Sequence, residues 1–204
     1  MSDSMYVPPT ANLNVEPAGA PAFFTVSTTK FMTMLLATSG LYGWYWFYKN
    51  WALYRRYSGR SIWPIPRAVF GLIFLPSLFC KLDRVLKQQG KDGMPFWRGS
   101  AALFILIAIA PMALSFLVGL LQGLNGQPFS GGGIVPMIAA SIIPLMLQSL
   151  ILLRVQRFIN VVNDDPSGNT NARLTHWNWV WIVIGLLYWF AGYLLIVAVT
   201  QAPL

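Results

Sequence analysis

Long uninterrupted apolar runs dominate the second half of this chain. Residues 101–124, 134–153 and 177–199 hold no Asp, Glu, Lys, Arg or His. About 20 apolar residues are enough to cross a hydrocarbon core of roughly 30 Å. A chain of 204 residues has no soluble core large enough to hide three helices that are apolar all round. The pattern predicts an all-α integral membrane protein with firm spans at 101–124, 134–153 and 177–199. An outer-membrane barrel would show short segments of alternating polarity instead.

Two earlier stretches are apolar but interrupted. In 31–48 an aliphatic half is followed by Thr38, Ser39 and Gly40, and then by six aromatics within 42–48, with Lys49 next. Trp and Tyr favour the headgroup level, where the ring is apolar and the N–H or O–H stays wet. Tyr45, Trp46 and Tyr48 are therefore expected to anchor a shallow segment. Trp51, Tyr54 and Tyr57 continue at helical spacing beside Arg55 and Arg56, as in an interfacial amphipathic helix. The second stretch, 62–80, carries Pro64, Pro66 and Pro76 together with Arg67, and proline inside a helix removes a hydrogen bond and kinks the chain. Each segment either dips into the bilayer or crosses it, giving 3 to 5 spans.

The flanks are polar. Residues 1–29 contain Pro8, Pro9, Pro17 and Pro21 and no basic residue, which predicts a disordered tail rather than a signal peptide. The helical membrane domain is then 30–204, with Ser27, Thr28 and Thr29 offering N-caps. Residues 81–89 read as a short amphipathic helix with Leu82, Val85 and Leu86 on one face and Asp83 paired with Lys87. Ser115, Gly119 and Gly123 form a small-residue face expected to pack within the chain.

Charge sets the orientation. The 14 Lys and Arg against 6 Asp and Glu give a net charge of +8. Lys81, Arg84, Lys87, Lys91 and Arg98 precede the first firm span, and Arg154, Arg157 and Arg173 lie between the second and third. Residues 125–133 and 201–204 carry none. Positive charge is retained in the cytoplasm, so 81–100 and 154–176 are expected there, with 125–133 and the C-terminus outside. If 31–48 and 62–80 both cross, Lys49, Arg55, Arg56 and Arg60 lie outside and Arg67 lies within the membrane. The break at Gly40, the shallow aromatics and the prolines favour dips. The five-span form stays open because insertion tolerates a few outside charges. No basic helix stands apart from the spans, so nucleic acid is not an expected partner.

Residues 40–51, Gly-Leu-Tyr-Gly-Trp-Tyr-Trp-Phe-Tyr-Lys-Asn-Trp, resemble a signature of small, uncharacterised bacterial membrane proteins, Gly-(Leu/Ile)-Tyr-x-x-Tyr-Trp-(Phe/Leu)-Tyr-(Lys/Arg), within a domain of unknown function. The resemblance extends to Ile62, Pro64, Arg67, Ala68 and Phe70, to Gln156, Asn160 and Asn163, and to Trp177, Asn178 and Trp179. Where that family often has Phe-Trp before the arginine, this chain has Ile65 and Pro66. The resemblance implies a bacterial inner membrane and brings no activity, substrate or site.

Candidate chemistry is sparse. The lone His176 has no second histidine for a metal pair, and no carboxylate lies in the spans to relay protons. The single cysteine, Cys80, reads as a packing residue. Asp164 and Asp165 form either a solvated turn or, with Asn160 and Asn163, an oxygen-donor cation site. No catalytic, cofactor or metal residues are assigned, and an enzyme is not expected. Gln156, Asn160 and Asn163 share one helical face beside Arg157. That face either hydrogen-bonds neighbouring chain and headgroups or recognises a lipid or partner. With Tyr45, Trp46, Tyr48, Lys49, Arg55 and Arg56 it makes up the candidate lipid or partner surface. Expected partners are anionic headgroups, a membrane protein, or further copies of the chain. Two function classes follow: an accessory, scaffold or lipid-interacting envelope protein, and a small oligomeric transporter or channel using Ser115, Gln122, Ser141, Gln148 and Ser149.

Overall fold

A computed structural model describes residues 21–126 and 134–201, the side chains at 134–139 and 199–200 excepted. The described residues fold into helices alone: α1 (Thr28–Ala37), α2 (Leu41–Ser58), α3 (Pro64–Val69), α4 (Gly71–Gln88), α5 (Trp97–Leu124), α6 (Ile134–Val162) and α7 (His176–Gln201), with one 3-10 turn at Asn169–Asn171. Three are long and apolar enough to cross a membrane: Trp97–Leu124, Ala140–Val162 and His176–Ala198. They lie in α5, α6 and α7, and each of these helices runs beyond the expected span at one end or both. α6 continues past Arg154 because a positive charge leaving an apolar layer does not end a helix whose next turns find partners. The expected turn at 125–133 is described only to Gly126.

α6 lies between α5 and α7, and one helix fills each groove beside it. α1 packs on α6 and α7, whereas α4 packs on α5 and α6. The segment 31–48 is two helices rather than one, broken where Ser39 and Gly40 take positive φ angles of 51° and 85°. At this break the chain comes close to the middle of the spans. A Cβ on Gly40 would stand 3.4 Å from Leu145 Cδ1, and one on Gly185 would stand 2.1 Å from the Ala37 carbonyl oxygen. Leu145 is nine residues from Arg154, and Gly185 nine from His176, about 14 Å in each case at 1.5 Å rise per residue. Both ends of the hairpin return to the end that carries the α6–α7 connection. Lys30 Nζ bonds Asn171 Oδ1 and the Arg173 carbonyl at the start of α1, and Trp46 on α2 bonds Gln156.

The second interrupted segment, 62–80, also divides, but not at Pro76. Pro64 occupies the first turn of α3, where its missing N–H costs nothing, and Pro76 lies inside a continuous α4. The break falls at Phe70, beside Gly71, which lies against the Phe47 ring. The expected amphipathic helix at 81–89 is the last part of α4. Its face Leu82, Val85 and Leu86 is buried, and Lys87 pairs with Asp83 at 2.7 Å.

Among the described residues the buried core lies mostly to one side of the spans rather than along their middle. It gathers at the end bearing the α6–α7 connection, from Phe23, Val26, Phe31, Met34, Trp46 and Trp51, the Leu75–Leu86 face of α4, and Val155 and Ile159 of α6. This also corrects the expected tail. Residues 1–20 lie outside the described residues, but 22–26 are non-helical chain with Phe23 and Val26 fully buried. Ser27 then caps α1 by accepting from Lys30 N at 3.3 Å. The small-residue face differs as well: Ser115 and Gly123 are exposed, and nothing lies within 4 Å of a Cβ built at Gly123.

Candidate functional site

Gln156, Asn160 and Asn163 share one face of α6, as their spacing requires, and what they hold is this chain's own backbone. Gln156 Nε2 donates to the Phe24 carbonyl at 3.0 Å, and its Oε1 accepts from Trp46 Nε1. Asn160 takes both sides of Val26, donating to its carbonyl at 3.0 Å and accepting from its N–H at 3.3 Å. Asn163 donates to the Phe23 carbonyl at 2.7 Å and accepts from Ala22 N at 3.0 Å. Asn50 Oδ1 accepts from Phe24 N at 3.1 Å, and Asn171 Nδ2 donates to the Thr25 carbonyl at 3.0 Å. A non-helical segment entering a core must have its amides paired. Here side-chain carboxamides replace the missing ladder of a sheet. The face expected to meet a lipid or partner is therefore filled from within, and Gln156 and Asn160 are fully buried.

Trp46 is likewise no shallow anchor. It is fully buried, tilted against Phe31 and edge-on to Phe47. Tyr45 and Tyr48 are exposed as expected. Lys49 Nζ sits 5.8 Å from the centroids of both Phe24 and Tyr45. Asn50 joins this set though it was not among the expected site residues; its one sequence signal is an amide four residues after Trp46 inside an aromatic helix, and its Nδ2 donates back to the Trp46 carbonyl at 2.8 Å.

Arg55 and Arg56 do belong to a surface feature. With Arg60, Gly59, Ser61, Ile62 and Trp63 they line an open depression of about 510 Å³ where α2 ends. Arg55 and Arg56 occupy the last turn of α2, where positive charge complements the exposed carbonyls. The positive surface reaches further. Arg67 stacks on Trp51 at 4.5 Å and Phe74 at 5.1 Å, and Lys81 stands 5.5 Å from the Tyr54 ring. Burial lowers the Lys81 pKa from its ordinary value, and the nearby charges of Arg67, Arg84 and Arg60 lower it further. No carboxylate enters that set. Among the described residues the ion pairs are Lys87 with Asp83 and Lys91 with Asp164, so no described carboxylate pairs with these arginines. Arg67, Lys81 and Arg84 were not in the expected site because sequence distance hides their approach.

The remaining groups are committed elsewhere. Asp165 accepts from the Thr170 N–H and hydroxyl, from the Asn169 N–H and from Ser167 Oγ, and these bonds hold its carboxyl down at about 2. Asp164 pairs with Lys91, whose ammonium also caps the Val161 carbonyl at 2.7 Å. Asp164 and Asp165 thus form a turn, and no cluster of three metal-ligating side chains occurs among the described residues. Of the five polar residues weighed as a channel path, Gln148 and Ser149 line a cavity between α2, α5 and α6, and Ser141 lines a different one beside Tyr188. Ser115 and Gln122 line neither. Chemically, the basic surface is equipped to bind anions by charge and arginine donors. No family model, curated protein or solved structure matches this chain.

Proposed function

We propose that this chain is a non-enzymatic bacterial inner-membrane protein, an accessory or scaffold that gathers anionic lipid headgroups at its cytoplasmic face. The carrying observation is the basic surface where α2 ends, with Arg55, Arg56 and Arg60 around one depression and Arg67, Arg84 and Arg60 within charge range of Lys81, and with no described carboxylate paired to any of them. Each basic group near an anionic leaflet contributes about 1 kcal/mol, and arginine forks fit phosphate oxygens. In this reading 31–48 and 62–80 are dips that enter from the cytoplasm and leave to it, with three spans in all. The proximity of Gly40 to Leu145 and of Trp46 to Gln156 supports that reading. Lys49, Arg55, Arg56 and Arg60 then join 81–100 and 154–176 on the cytoplasmic side, and the C-terminus is periplasmic. Irregular backbone at membrane depth requires protein cover, and α6 with its neighbours supplies it.

The test is lipid selectivity of the full chain in nanodiscs. Phosphatidylglycerol should raise the melting temperature over phosphatidylcholine, and the gain should shrink in Arg55→Gln/Arg56→Gln/Arg60→Gln. Equal melting in both lipids would reject headgroup recognition.

A further inference from the structure

A cavity of about 340 Å³ lies between α2, the α3–α4 junction, α5 and α6. Ligand pockets run from about 300 to 1,000 Å³, so this one suits a single small ring. Its walls include Trp44, Phe47, Leu72 and Ala108, and none of its lining residues is ionisable. Two polar side chains share the α6 wall, Gln148 and Ser149. Ser149 is 1% exposed, and its hydroxyl has no hydrogen-bond partner. It lies five residues inside Arg154, about 7.5 Å along the helix, where an unmade hydrogen bond is expensive.

The lining narrows what could satisfy that hydroxyl. An alkyl chain would leave it bare. A fatty acid or phosphate would place a charge against walls without a cation. A water needs two to four polar partners, and the wall offers little beyond Ser149 and Gln148. What fits is a neutral apolar body carrying hydrogen-bond acceptors. Trp44, Val69 and Leu72 are exposed at the rim, so a long tail could run out between them into lipid.

We propose that this cavity binds the ring of a neutral, bilayer-soluble carbonyl compound of the quinone type. The Ser149 hydroxyl donates to a carbonyl oxygen, the Gln148 carboxamide is a second donor, and the Trp44 indole flanks the ring. The proposal concerns binding alone and does not depend on headgroup recognition, which uses other residues.

Decylubiquinone titrated into the full chain in phosphatidylcholine nanodiscs tests it, with decylbenzene as the matched tail without carbonyls. Saturable decylubiquinone binding is expected. Ser149→Ala should weaken it about fivefold, as loss of one hydrogen bond implies, Ser149→Thr should retain it, and Ala108→Phe should block it by filling the space. Ser149→Ala should melt no lower than the wild type, since its hydroxyl holds nothing within the protein. Unsaturable partition, equal binding by Ser149→Ala, saturable decylbenzene binding of equal strength, or a lower melting temperature for Ser149→Ala would each overturn the proposal.

Discussion

Asn160 shows how a single amide supports this fold. Both of its polar atoms are buried on the Val26 backbone, and Gln156 donates to it at 2.7 Å. Asn160→Ala leaves those groups unpaired, and each buried orphan costs roughly 1–3 kcal/mol. A loss of about 2–4 kcal/mol is expected, read as a clear fall in detergent melting temperature. Asn163→Ala, at a half-buried position, should cost less. Asp165 has the opposite environment, exposed but held by its turn. Its folded pKa is depressed from 3.8 to about 2. Its contribution is therefore complete above the unfolded value and is lost as pH falls through that window. The protection factors of the Asn169 and Thr170 amides, corrected for the intrinsic pH dependence of exchange, should fall between pH 4 and 2, and Asp165→Asn should remove that pH dependence. The spacing of Gln156, Asn160 and Asn163 was legible in the sequence. Their partner was not, because the backbone of 22–26 carries no side-chain signature and stands more than 130 residues away.

At the scale of elements, the α1–α2 hairpin depends on close backbone approach. A methyl at Gly185 would meet the Ala37 oxygen at 2.1 Å and Thr38 Cα at 2.6 Å, and backbone cannot swing aside as a flexible side chain does. Gly185→Ala should push α1 off α7, break the Trp189 bond to the Leu36 carbonyl at 3.1 Å, and cost about 1–3 kcal/mol as overpacking does. Gly192→Ala, with nothing within 4 Å, is the control and should melt with the wild type. The break at Gly40 was readable from Thr38, Ser39 and Gly40. The break at Phe70 was not, because the prolines mark possible kinks and nothing in the sequence sets Phe70 apart from them. Trp46 misled for a related reason. Aromatics suit both a wet interface and a dry core, and composition alone does not separate them.

For the whole molecule, the three spans were legible because charge-free runs of such length have no other home. The core at one end was not. It is assembled from residues 22–31, α2, α4 and the end of α6, segments whose apolar content is modest and whose contacts are long-range. That arrangement leaves most of α5 and α7 facing outward, as suits helices surrounded by lipid, and brings the unpaired arginines to the end where the core lies. The screening length falls from about 8 Å at physiological salt to 3 Å at 1 M. The stabilisation by phosphatidylglycerol should therefore fade in 1 M salt, whereas the Asn160→Ala deficit should persist, since buried hydrogen bonds are not screened. Melting in both lipids at low and high salt checks this.

The central claim is that both N-terminal segments turn back, so that the loop between them is cytoplasmic. Ser61 is exposed on that loop, and the native Cys80 can be removed as Cys80→Ser. Ser61→Cys in that background, probed in intact cells with a membrane-impermeant thiol reagent, measures the side directly. The account predicts no labelling until the inner membrane is permeabilised. Labelling in intact cells, at the level of a cysteine placed near the C-terminus, would put Ser61 outside and contradict it.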